Sequence, residues 1–497
     1  MADTAYADLI ERVREFSTLG SISSVLQWDQ EVMMPPKGAE FRAKQLGLMS
    51  TLHHRMQTDP AVGRLIKKLR GRRLAPVPAA NLRLIARQYE RATKLPADLV
   101  RELSETRSRA QQVWAQARRA SNFRLFAPWL EKLVTLKRRV IALLKLPGTP
   151  YDTLLDQFEE GATCAAIDPL FGGLREQLVP LVRAIVAAPH QPRMNWIHQP
   201  VAVELQREFG LEVIARFGFD SAAGRVDVSV HPFCSGFCTR DVRMTTRFRE
   251  HDMQDALGGL MHETGHGLYD QGLPEKFEGE PAGDAISLGI HESQSRMWEN
   301  FVGRSPDFWR FWFPRLQKRL GGKLKGCSLD QWVHAYNLVT PSLIRVEADE
   351  VTYPLHVMLR YQIEKEIFNE RLPVAKVEAR WNELMREYLG VTPPNAAQGV
   401  LQDIHWSMGA FGYFPTYLLG NLYAAQFFAT ADRKLGLNAQ FRRGNFAPLL
   451  TWLRENIHRH GHRYSADQLV RRATGKPLDA AFFVEYLTKK YSALYRL

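Results

Sequence analysis

Cysteine is scarce in this chain, with four residues in 497. A disulfide framework therefore does not hold so long a polypeptide together, and the low thiol count fits a reducing compartment. Long apolar runs are missing too: no stretch reaches the roughly 20 residues needed to span a bilayer. The N-terminal "MADTAYADLIERVREF" carries acids and no apolar core, so it is read as neither signal peptide nor anchor. Low-complexity tracts, Ser/Gly linkers and internal repeats are also lacking. The expectation is a cytoplasmic protein with one undivided domain over 1–497.

Acids are outnumbered, 53 Asp and Glu against 66 Lys and Arg, for a net charge of +13. Such an excess can mark a nucleic-acid binder. Here the bases are dispersed over helical surfaces, as in "LIKKLRGRRLA" (65–75) and "TLKRRVIALLKL" (135–146), without stacking aromatic motifs or zinc-finger spacing. No nucleic-acid or membrane partner is expected. The charge suits steering of anionic substrate ends toward a cleft. "HRHGHRY" (458–464) is read as a solvated basic loop rather than a metal or phosphate site. "CSGFC" (234–238) has no second cysteine pair to complete a metal site, so its thiols are read as small packing residues.

What the chain does have is helical periodicity, in a composition of 45% hydrophobic and 24% charged residues that is ordinary for a soluble globule. The expected helices include 4–18, 38–56, 97–120, 127–145, 252–271, 284–302, 341–370 and 414–434. One short region differs. "RVDVSV" (225–230) and "VRMTTRF" (242–248) alternate in polarity and read as paired strands, with "HPFCSGFCTRD" between them. The fold class is mainly α, with a small β-hairpin or sheet just ahead of helix 252–271, whose edge suits an extended peptide.

That helix carries "HETGH". Positions i and i+4 share a helix face, so His262 and His266 can grip one cation, while Glu263 sits one residue round and can reach a water without binding the metal. Roughly 0.03 such pentapeptides are expected by chance in a chain of this composition. Asp252 is placed as N-cap. Asp255, Gly259, His262, His266 and Asp270 line one face, and Leu257, Leu260, Met261, Thr264 and Leu268 another. Gly259 and Gly265 are poor helix formers and suggest close approach of a neighbour. Catalytic zinc usually keeps three protein ligands and one open position. The best third ligand lies in "DAISLGIHESQSRMWENF" (284–301), where Glu292 stands away from the apolar face; His291 is its rival, and an exposed surface glutamate is the bland alternative. If the histidines are not a working site, the remaining alternative is a basic helical binding protein whose zinc is structural or absent.

"HETGH" and "HESQ" are accompanied, in order, by "HPF" (231–233), "DVRMT" (241–245), "IRVEAD" (344–349) and "GVLQDIHW" (399–406), with "WDQEVMMPPKGAEFRAKQL" (28–46) near the start. Together these resemble the carboxypeptidase Taq family of zinc metallocarboxypeptidases over nearly the whole chain. The resemblance implies two helical subdomains flanking a deep groove, one zinc per chain with cobalt as an alternative, and homodimers. It implies removal of single residues from peptides with a free C-terminus, with broad preference. It also implies Glu292 as third ligand, and an architecture similar to neurolysin and angiotensin-converting enzyme. In those enzymes a histidine and tyrosines near the chain's end stabilise the reacting carbonyl. His405, Tyr413 and Tyr417 in "HWSMGAFGYFPTY" (405–417) are similar, and Gln402 and His405 are expected at the substrate.

Glu263 is the expected general base, taking a proton from water and passing it to the leaving amine. The oxyanion needs a further donor, for which His231, Tyr413 and Tyr417 are candidates beside a reading in which all three simply pack. A substrate carboxylate calls for a guanidinium fork. Arg345, placed on the expected helix 341–370, ranks before Arg243 on a strand; salt bridges to Glu347, Asp349 or Asp241 are the competing roles. A zinc endopeptidase or dipeptidase would share the same chemistry.

Overall fold

The computed structural model describes residues 4–497. Helices make up most of it, and boundaries follow the local chemistry. The first helix, Thr4–Val32, continues well past its expected end at 18 because nothing breaks it until Pro35 and Pro36. Proline has no N–H to donate and disfavours helical angles at the preceding residue. Among the helices that escaped the periodicity reading are Pro60–Leu69 and Pro150–Leu155. Both are short, and both open with a side-chain cap, Asp59 or Thr149, followed by proline at the first turn.

The expected helix 341–370 begins only at Tyr353. The Asp349 carboxylate accepts from the backbone N–H groups of Thr340, Val351 and Thr352, so it turns this stretch into a tethered loop. Arg345 therefore sits on a single 3-10 turn, Arg345–Glu347, and not on a helix. The expected helix 284–302 is Leu288–Arg296 followed by a π-helical turn, Met297–Val302.

The sheet has three strands, β1 (Gly224–Val228), β2 (Cys234–Cys238) and β3 (Asp241–Thr246), in the order β1-β3-β2. The two alternating segments do pair, but in parallel, and the intervening residues supply an antiparallel strand of their own. All four cysteines are free, two of them in β2. At Gly236 a Cβ would meet Asp270 Oδ2 at 2.6 Å, so glycine lets β2 lie against the end of the HETGH helix.

The chain divides into two compact units. The first comprises Met1–Thr93, Arg193–Tyr336 and Phe427–Pro477; the second comprises Lys94–Pro192, Asn337–Gln426 and Leu478–Leu497. The first holds the sheet and the HETGH helix, backed by an aromatic core in which Phe217 and Trp298 lie 4.6 Å apart. In the second, helices Ala97–Arg119 and Phe123–Leu144 pack as a pair. Its interior includes charged side chains, among them Lys137, Arg345, Arg360 and Glu364. No helix among the described residues is long and apolar enough to cross a membrane.

Candidate metal centre

The HETGH helix runs Met253–Asp270, with the Asp252 side chain accepting from the Asp255 N–H as N-cap. Asp255, Gly259, His262, His266 and Asp270, expected on one face, are half-buried, and Leu257, Leu260, Met261, Thr264 and Leu268 are buried. Only one of the two glycines serves close approach. A Cβ on Gly265 would meet Ser295 Cα at 2.5 Å, whereas Gly259 has ordinary contacts of 3.7 Å and more. Gly265 thus marks where helix Leu288–Arg296 crosses the HETGH helix backbone to backbone.

That crossing delivers Glu292, which is buried, to the histidines. Its Oε2 lies 3.8 Å from His262 Nε2 and 3.6 Å from His266 Nε2. Among the described residues these three form the only group of His, Cys, Asp or Glu whose ligand atoms all fall within 4.8 Å of one another. Every other polar atom of the trio is tied back. His262 Nδ1 meets Glu299 Oε2 at 2.9 Å, and Glu292 Oε1 accepts from Arg296 Nε at 2.7 Å. His266 Nδ1 meets His291 Nδ1 at 2.5 Å, and His291 Nε2 meets Asp270 Oδ1 at 3.0 Å.

These bonds set the tautomers. Glu299 can only accept, so His262 carries its proton on Nδ1. His291 gives its Nε2 proton to Asp270, which leaves its Nδ1 to accept from His266. Both histidines then present an unprotonated Nε2 toward Glu292. Two imidazole nitrogens and one carboxylate oxygen fit a divalent metal with an open position, and partners behind the histidines fix the rings as metal sites require.

The surroundings shift these groups in different directions. Burial opposes charge on His262, but Glu292 and Glu299 outweigh it and hold its pKa above the ordinary value. Burial and the neighbouring His291 and His262 push His266 well below. Burial alone would raise Glu299, yet Arg296, His262 and Arg304 bring it down to about 2. His291, the rival ligand, stands behind His266, and Asp255 is occupied by a fork from Arg247. Glu263 is 6% exposed, and its side chain makes no hydrogen bond among the described residues; burial pushes its carboxyl up to about 7.

The remaining candidates fall in two places. His231 is exposed in the first unit, on the loop entering β2, with its carbonyl accepting from Ser229 Oγ at 2.6 Å. In the second unit His405, Tyr413 and Tyr417 cluster, with His405 Nε2 3.3 Å from Tyr417 Oη and ring centres 5.2 Å apart for His405 and Tyr413. Arg345 is 4% exposed and is held by Asp403 through Nε and Nη2, and by the Tyr353 hydroxyl through Nη1. Its partner is thus Asp403 rather than Glu347 or Asp349. Gln402 accepts from the Arg345 N–H and from Arg360 Nη2, and donates to the Leu343, Gln398 and Gly399 carbonyls. Arg243 forks onto Asp241 and lies between the rings of Trp28 and Phe237, 4.5 and 4.9 Å from their centres.

Some roles were missed. "HRHGHRY" is no solvated loop: His458 and His460 are buried. His458 Nε2 meets Gln294 Oε1 at 3.0 Å and so props the helix that carries Glu292. A basic run does not announce burial, because that depends on what covers it. Asp403 and Arg360 are ion-paired inside the second unit. Arg360 did leave a signal, a lone charge between apolar neighbours in "VMLRYQI".

Hydrolysis at such a centre needs a cation with a vacant coordination position and a base beside it, and this face has the means for both. That is the equipment of a helical HExxH metallopeptidase. The chain belongs to the carboxypeptidase Taq (M32) metallopeptidase family, whose sequence profile matches residues 8–491. Thermostable carboxypeptidase 1 of Thermus thermophilus is 43% identical over 99% of this chain and 99% of its own length. Carboxypeptidase 1 of Bacillus subtilis is 39% identical over 99% and 98%. The crystal structure of the M32 carboxypeptidase from Deinococcus radiodurans R1 has a TM-score of 0.97 at 39% identity, covering 100% of both chains. Metallocarboxypeptidase 1 of Trypanosoma cruzi has a TM-score of 0.94 at 34% identity, covering 98% of this chain and 99% of that one. The protein is a metallocarboxypeptidase, a peptide hydrolase.

Proposed function

We propose that the metal is zinc, with cobalt as the alternative, one ion per chain on His262, His266 and Glu292. Single C-terminal residues are released with broad preference, with Glu263 as general base. The observation that carries this reading is the convergence of His262 Nε2, His266 Nε2 and Glu292 Oε2, all other polar atoms of the three being engaged. A divalent cation bound there acidifies a water and polarises a carbonyl.

Glu263 supplies the proton handling. A carboxyl raised to about 7 by burial, with no hydrogen bond to compete, is suited to accept a proton and return it near neutral pH. His231, Tyr413 and Tyr417 are the donors proposed for the developing oxyanion, and Gln402 and His405 stand with the substrate-binding set. Gln402 contributes by holding Arg345 and Arg360, since its own polar atoms are used. For the substrate carboxylate Arg345 ranks before Arg243, on new grounds. Asp403 is shared with Arg360, so Arg345 can turn to a substrate without leaving Asp403 unpaired. Arg243 is the fork that holds Asp241.

The test is product analysis. An N-blocked peptide with a free C-terminus should lose one residue at a time by mass spectrometry, its amidated counterpart should persist, and phenanthroline should stop the reaction. Internal cleavage of both peptides would overturn the reading. We also propose a cytoplasmic homodimer, supported by the four unpaired cysteines and by the family resemblance respectively. Sedimentation equilibrium checks the dimer, and fractionation checks the compartment.

A further inference from the structure

Lys137 and Arg107, two inward-lying basic side chains of the second unit, have no partner among the described residues. Lys137, on helix Phe123–Leu144, is 3% exposed and makes no hydrogen bond or ion pair among the described residues. Arg107, on helix Ala97–Arg119, makes none either, and its Nε is buried without an acceptor. The two converge on Gly409: a Cβ there would lie 3.3 Å from Arg107 Nε, 3.5 Å from Lys137 Cε and 3.7 Å from Leu133 Cδ2. Gly409 itself has φ +66, in the left-handed region. The acid with the strongest influence on Lys137, Glu364, is taken: it accepts from the Tyr151 hydroxyl, Trp406 Nε1 and the Gly412 N–H. Elsewhere in this unit a buried pair of arginines is matched by Asp403. Here none of the described residues accepts.

Buried charges are normally paired, and a buried donor without an acceptor points to a missing water or ion. A water can accept from both groups but cannot offset two neighbouring positive charges. We propose that Arg107 and Lys137 bind one small monovalent anion, a halide or a carboxylate, that fastens the loop around Gly409 to these two helices. Two side-chain donors and an apolar wall suit a small ion; a larger oxyanion would leave oxygens without partners. Arg107 is half-buried, which leaves a way in from solvent. The loop leads from His405 to Tyr413, so the anion would steady the segment between two candidate substrate groups.

The experiment uses the full-length, metal-loaded enzyme at constant ionic strength, replacing gluconate stepwise by chloride in one arm and by acetate in the other. Thermal midpoint and amide hydrogen exchange of residues 404–412 are followed. The wild type should gain about 2–5 °C in a saturable manner, with slower exchange in the loop. Lys137→Met should abolish that response and should be more stable than wild type in gluconate, because it removes an unpaired buried charge. Arg107→Met should also flatten the response. A response to chloride alone identifies a halide site, and one to acetate alone a carboxylate site. An equal response in wild type and Lys137→Met would overturn the proposal. Where chloride gives the response, so would the absence of an anomalous bromide peak between Arg107 and Lys137 in a soaked crystal.

Discussion

Two charged clusters, one in each unit, use their groups in opposite ways. Around Asp403, Arg345 and Arg360 are closed on themselves: the carboxylate takes a fork from Arg345 on one oxygen and Arg360 on the other, and its pKa falls below the usual range. Burial by itself would raise it, so the two arginines win. Around His262, the same kind of bonding is applied mainly to the outer atoms, Nδ1 of both histidines and Oε1 of Glu292, and the inner atoms face one another, with Glu292 Oε2 taking one long bond of 3.3 Å from Ser295 Oγ. Satisfied groups build structure, and groups held in place but unsatisfied bind. The Arg107–Lys137 pair, with neither kind of partner, belongs with the second sort.

The sharpest way to test this contrast is to change a group that is held but unbonded. Glu263→Gln keeps size and helix propensity yet cannot accept a proton, so kcat should fall by about 10²–10⁴-fold while metal content by mass spectrometry stays at wild-type level. Substantial turnover in the variant would remove Glu263 from the mechanism.

A smaller effect is expected one layer back. His291→Ala leaves all three proposed ligands in place but lets the His266 ring turn, so metal affinity in a chelator competition should drop about 10–100-fold. Glu292→Ala removes a ligand and should lose metal more readily still. Equal losses in the two variants would make His291 a ligand after all, and no loss in either would dismiss the site.

In the closed cluster, Arg345→Met separates substrate binding from support. If Arg345 can trade Asp403 for a substrate carboxylate, kcat/KM should fall at least about tenfold on free-C-terminus peptides, the equivalent of about 1.4 kcal/mol. The slow hydrolysis of an amidated peptide should barely change. Matching losses on both would mean that Arg345 only holds the loop, and Arg243 would be tested next.

The least dramatic prediction concerns pH. Burial, then Arg107, lower the Lys137 ammonium from its usual 10.5 to about 7, with Glu364 opposing. Below pH 7 folded and unfolded chains both keep that proton, so it adds no pH dependence. From about 7 to 10.5 the unfolded chain holds a proton that the folded one has released, and stability rises with pH. The denaturation midpoint in gluconate should climb across this window, and Lys137→Met should lose that rise. Chloride should flatten it too, since a bound anion keeps the proton on.

How far the chain could be read from its sequence depended on distance along it. The HETGH helix was legible down to its cap and polar face, because both depend on residues within two or three turns. Glu292 was reachable as a candidate because its neighbour Ile290 marks the apolar side of the same short helix. The loop before Tyr353 was misread because Asp349, a single side chain, outbids helical periodicity by capturing three backbone N–H groups. The parallel pairing of β1 with β3 was also out of reach, since alternation marks a strand without naming its neighbour.

Alone, the sequence picked out the residues proposed to hold the metal, since the i, i+4 spacing of His262 and His266 is a property of any α-helix. Its motifs in series also mark the family. Tertiary structure alone decided which atoms remain available. Whether a histidine nitrogen is tied to Glu299, an arginine to Asp403, or Arg107 and Lys137 to nothing depends on groups tens to hundreds of residues away. Hydrogen bonds of that kind form only once packing has brought the partners within about 3 Å.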